Sequence, residues 1–202
     1  MRSIVVISRL LSTLFRPVYY PMVGMFILFT MTYLNLLPLT FRLWVLGMVY
    51  VFTVAMPSLG VLMYRKMQGW HPHELRHQGK RAVPYSIYLL CYGSCMYVMS
   101  ALHLPRFMMA VIIVSLLIQL VCVVVNVWYK ISMHSAGTGG VIGALLAYSM
   151  LFGFNPIWWL CGAILRSGLV MTSRMVLRQH TMWQVLGGTL AGVACGIVGV
   201  LL

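Results

Sequence analysis

Apolar residues run along this chain in long unbroken stretches, separated by short polar or proline-bearing links. Seven stretches approach the ~20 residues that span a bilayer core as a helix: 18–37, 41–64, 84–103, 106–128, 137–153, 156–173 and 181–202. Pro38, Pro105 and Pro156 mark tight turns between neighbours. None of the stretches alternates apolar with polar residues as barrel strands do. Backbone in lipid must then satisfy its own hydrogen bonds as helix. The expected fold is an all-α, polytopic transmembrane bundle of about seven helices, with 1–202 forming one domain. Ahead of the first stretch, Arg2, Arg9 and Arg16 recur every seven residues on one stripe, with Ile4, Val5, Leu11, Leu14 and Phe15 around much of the rest. That pattern predicts an amphipathic helix lying in the membrane interface, ended near Pro17. The same arginines interrupt 1–16 too often for the apolar core of a signal peptide, so none is expected.

Two of the stretches carry small residues four apart. Gly139, Gly143 and Ala147 form one ridge, and Gly188, Gly192 and Gly196 form another. Such ridges predict close helix–helix approach within a membrane.

Composition sharpens this picture. Of 202 residues, 62% are hydrophobic and only 7% charged, against about a quarter charged in a soluble domain. The five cysteines lie inside apolar stretches without a CxxC pair, so neither a metal site nor a disulfide framework is expected. Charge balance is lopsided: 14 Lys and Arg face a single acid, Glu74. Positive-inside topology accounts for part of that excess, and an anionic ligand such as phosphate would account for more. Nucleic acid is not expected as a partner, because the sequence shows no soluble basic domain to hold it.

The polar residues fall in three clusters: Arg65 to Arg81; Lys130, Ser132 and His134; and Ser173, Arg174, Arg178 and His180. Two predicted helices separate the first from the second, and two more separate the second from the third. An even number of crossings puts all three on one membrane face. Together they offer what phosphoryl transfer needs: forked cationic donors for phosphate oxygens, a histidine nucleophile and a second histidine to protonate the leaving oxygen.

These clusters resemble the signatures of the type 2 phosphatidic acid phosphatase superfamily. Ser173-Arg174-x5-His180-x3-Gln184 is similar to the family's third motif, SRx5HxxxD. Ile131-Ser132-Met133-His134 is similar to its PSGH motif, and the run from Arg76 through Lys80 and Arg81 to Pro84 loosely echoes Kx6RP. The opening LFRPVYYP and the HTxxQVxxG run from His180 to Gly188 resemble a group of small bacterial membrane members. The resemblance implies a bacterial inner-membrane enzyme that hydrolyses a phosphomonoester or diphosphate on a lipid, without metal or other cofactor. His180 would be the nucleophile, forming a phosphohistidine, and His134 would protonate the leaving group. Arg174, Ser132 and the backbone at Met133 would hold phosphate oxygens, with Arg81, Lys80 and Arg76 filling the first motif's cationic role. Lys130 stands beside the second motif as a further phosphate-binding candidate.

Three departures accompany the resemblance. Gln184 replaces the motif's Asp and is expected to orient His180 as a neutral acceptor. Met133 replaces a Gly, and Ile131 a Pro. They keep open a second reading, a catalytically weakened member that binds anionic lipid or a membrane partner. A small transporter is a third; it predicts polar residues deep in several helices, to which only Gln119, Asn126 and Arg166 come close. Arg166 also lies two helical turns before Arg174 on roughly the same face. The N-terminal arginines place the motif face in the cytoplasm by the positive-inside rule, whereas the resemblance implies the opposite face.

Overall fold

The computed structural model describes residues 2–69 and 82–202. Arg76, Lys80 and Arg81 of the first basic cluster lie outside the described residues. The described chain is an all-α bundle of nine α-helices. An N-terminal helix α1 (Arg2–Leu14) precedes a short 3-10 turn and α2 (Tyr20–Met31). Helices α3 (Leu39–Tyr50) and α4 (Met56–Gln68) are halves of one continuous rod, joined through a π-helical turn at Val51–Ala55. Then follow α5 (Ala82–Ala101), α6 (Arg106–Trp128), α7 (Met133–Phe152), α8 (Ile157–Val176) and α9 (Met182–Leu201). Counting α3–α4 once, an N-terminal helix and seven further rods stand close to where the apolar runs predict them.

Four rods are long and apolar enough to cross a membrane: Leu39–Gln68, Arg106–Trp128, Met133–Phe152 and Met182–Leu201. The chain is an integral membrane protein. Helix α5 is diluted by Tyr85, Tyr88, Tyr92 and Tyr97, helix α8 carries Arg166 and Arg174, and α2 has only 12 residues. All three nonetheless pack within the bundle. Large apolar side chains such as Leu90, Leu165 and Leu190 point outward, each about 70% exposed, which suits lipid and not water.

The π turn in the long rod has a local cause. Pro57 lacks an N–H and its ring would clash with the carbonyl of Thr53 in a regular helix. The extra residue widens the turn, and the Met56 N–H reaches back five residues to the Val51 carbonyl. The core lies where α2, α3, α5 and α6 meet, around the fully enclosed Met25, Val45, Met99 and Ile112.

Helices α7 and α9 pack more closely than any other pair, through the two glycine ridges. A Cβ on Gly139 would strike the Thr189 carbonyl, and one on Gly143 the Val193 carbonyl. In the other direction, a Cβ on Gly192 would strike the Ala136 carbonyl, and one on Gly188 would come within 2.8 Å of the Ser132 carbonyl. Contacts advance in the same direction on both helices, so α7 and α9 are parallel and begin side by side. At the opposite end of the bundle, Tyr33, Phe107 and Phe152 form an edge-to-face cluster with centroids 5.5–6.3 Å apart. That cluster joins the end of α2, the start of α6 and the end of α7.

Candidate functional site

The parallel pairing of α7 and α9 brings the second and third basic clusters together. A direct backbone bond ties them, from the Ser132 N–H to the Gln184 carbonyl at 3.3 Å. Two helix N-termini therefore open at one place, and their unsatisfied N–H groups favour an anion there. Helix α8 arrives from the other direction. Arg178 takes a left-handed φ of 50° just past its end, while the Leu177 and Gln179 N–H groups close on the Ser173 and Arg174 carbonyls. That sharp reversal sets His180 close behind Arg174.

His134, in the first turn of α7, lies within electrostatic reach of Arg174, His180 and Arg16. It also hydrogen-bonds the Ser12 backbone. Arg174 Nη1 donates to Ser12 Oγ at 3.0 Å. Four basic side chains thus meet at one end of the bundle. No Asp or Glu side chain exists among the described residues to neutralise them. The two histidine motifs and the arginine converge as the even helix count requires.

His180 Nδ1 lies 3.2 Å from Gln184 Oε1, and the Thr181 N–H donates to the same oxygen at 3.2 Å. Gln184 is the third residue of α9, so its side chain completes a capping box with Thr181. An amide oxygen only accepts, so the His180 ring must carry its proton on Nδ1. Nε2 then carries the ring's lone pair.

Other candidates take different places. Ser132 belongs to the right loop but is fully enclosed and caps α7, accepting from the Ser135 N–H at 3.4 Å and from Ser135 Oγ at 2.9 Å. Both are acceptor roles, which leaves its hydroxyl proton to donate. Met133 opens α7 and lines a cavity with His134. Lys130 lies half-buried in the link between α6 and α7. Arg166 is not at the meeting point: its guanidinium lies 4.7 Å from the ring centroids of both Phe15 and Tyr20, pinning the turn after α1 to α8.

Sequence reasoning missed Ser12. Helix α1 packs along α8 with Ser8 buried and Ser12 on Arg174. The available signal was the pair of small hydroxyl residues four apart, a spacing that permits close helix contact in membranes.

Below His134, a cavity of about 220 Å³ descends between α2, α5, α6 and α7. It is lined by Met133 and His134 at one end and by Thr32, Tyr148 and Phe154 at the other.

Comparison with protein-family models, characterised proteins and solved structures finds no match to this chain.

Proposed function

We propose that this chain is a metal-independent lipid-phosphate phosphatase of the bacterial inner membrane, acting through a phosphohistidine. The observation that carries the reading is the meeting of His134, Arg174 and His180 beside two helix N-termini, with no acidic side chain among the described residues to balance them. In this reading Arg174 and the α7 and α9 amides hold the phosphate oxygens, as an electrostatic clamp on the transferring group. His180 attacks phosphorus through Nε2, forming the N–P bond as the P–O bond to the lipid breaks. The hydrogen bond from Nδ1 to Gln184 keeps the attacking nitrogen unprotonated. His134 relays to the departing alkoxide or phosphate oxygen the proton that the substrate's phosphate monoanion brings in. Water then attacks phosphorus and the N–P bond breaks. His134 takes the water proton, and inorganic phosphate leaves. The apolar cavity under His134 suits a lipid substrate, whose tail would stay at membrane depth while its phosphate reaches the cations.

The test is phosphate release from a lipid phosphate by detergent-solubilised protein in the presence of a chelator. Wild-type protein is expected to turn over and His180→Ala to be inactive with an unchanged melting temperature. Equal activity in both proteins refutes the role of His180.

A second reading, a weakened relative that binds anionic lipid without turnover, is favoured by one contact. Gln184 stands beside His180 as a neutral partner and stabilises a developing imidazolium less than a carboxylate would. Saturable binding of lipid phosphate with no release would select it.

A further inference from the structure

The cavity beneath His134 has one polar feature that its role as a greasy slot leaves unexplained. Gln119, on α6, lines it and is only 6% exposed. Its Oε1 is enclosed and has no hydrogen-bond partner. An enclosed, unmatched acceptor costs about 1–3 kcal/mol, and polar groups at membrane depth are retained for function more often than for packing. Gln119 is also level with the middle of the cavity. Its neighbour Ile118 packs against Gly140, six residues along α7 from His134, or about 9 Å at 1.5 Å per residue. The cavity continues along the same helix to Tyr148, about 21 Å from His134 by the same rise. A volume near 220 Å³ over that length is the width of one hydrocarbon chain. Ser115, one turn away on that helix face, gives its hydroxyl proton to the Val111 carbonyl and so has none to offer Gln119 Oε1.

We infer that this cavity binds a single lipid chain carrying a hydroxyl near its middle, and that Gln119 Oε1 accepts the hydrogen of that hydroxyl. Chain recognition needs no hydrolysis. Only the assignment of such a hydroxylated lipid phosphate as substrate rests on the phosphatase reading.

The experiment uses non-hydrolysable alkyl phosphonates of one chain length, bare or with a hydroxyl at successive positions, and detergent-solubilised full-length protein. Affinity is read by displacement of a fluorescent fatty alcohol. Wild-type protein is expected to prefer the mid-chain hydroxyl by about tenfold, the equivalent of one satisfied hydrogen bond. Hydroxyls near either end should give no preference. Gln119→Leu is expected to bind both ligands equally and to melt higher, since the unmatched acceptor is gone. Ala144→Phe, which fills the cavity wall, should weaken both. Equal affinity for bare and hydroxylated chains in wild type, or a preference that survives Gln119→Leu, overturns the inference. If the preference holds but no lipid phosphate is hydrolysed, the cavity assignment stands and the phosphatase reading fails.

Discussion

Replacing Gln184 by Glu tests the chemistry of the relay without altering its reach. In the structure Oε1 of Gln184 accepts from both His180 Nδ1 and the Thr181 N–H, each at 3.2 Å. A Glu carboxylate has the same length and keeps both bonds, whereas Asp, one methylene shorter, would have to give up one. In the resting state the change is small, because both side chains hold a neutral imidazole through the same proton. As His180 attacks, its ring gains positive charge, and the acceptor's charge begins to matter. A hydrogen bond to a charged group is worth about 1.5–3 kcal/mol against 0.5–1.5 for a neutral one. The carboxylate also sits in the first turn of α9, where the helix dipole adds about 0.3–1 kcal/mol to the ground state and the transition state alike. The differential gain is therefore about 1–2 kcal/mol, or roughly 5- to 30-fold in rate. Gln184→Leu removes the acceptor altogether, leaves two donors unmatched, and should cut the rate by about tenfold or more. Phosphate release from one lipid phosphate in mixed micelles, with melting curves for each variant, measures both effects. A folded Gln184→Glu protein that is slower than wild type, or a Gln184→Leu protein that is as fast, would refute a relay from His180 to Gln184.

Three further outcomes follow from the geometry. Gly192→Ala puts a methyl group against the Ala136 carbonyl and should destabilise the protein by about 1–3 kcal/mol, with loss of phosphate release. Gly187→Ala, which meets nothing within 4 Å, should match wild type in melting temperature. Ser12→Ala removes the hydroxyl that Arg174 Nη1 holds. It should tighten inhibition by product phosphate about fivefold, equivalent to roughly 1 kcal/mol; unchanged inhibition would mean that Ser12 does not compete for the ligand's place. Single cysteines at Lys130 and Arg178, in a background lacking the native cysteines, should react with an impermeant thiol reagent from the same side of intact membranes. A cysteine at His103, which ends α5 at the opposite end of the bundle, should react from the other.

The parts of this molecule legible in its sequence are those fixed by short-range geometry or by simple parity. Residues four apart on a helix share a face, so the His180–Gln184 contact and the two glycine ridges are readable without knowing any neighbour. Parity of crossings is coarser but holds wherever each apolar run is a rod, and it brings His134 towards Arg174 and His180. What is not legible depends on which face of a helix meets which partner. The arginine stripe of α1 reads as a helix lying on lipid, yet Ser8 and Ser12 turn it onto α8. Gln119 stands out as polar in the apolar run of α6, but what it serves is not readable there, because its meaning comes from the empty space that α2, α5 and α7 leave opposite it. Ser132 illustrates the converse. Its motif position implies a phosphate ligand, but the residue opening α7 also has to cap that helix, and its hydroxyl accepts twice from Ser135. One serine serves both demands only if its remaining proton points to the ligand. Direct attraction for phosphate then rests chiefly with Arg174 and with the helix N-termini that the glycine ridges hold together.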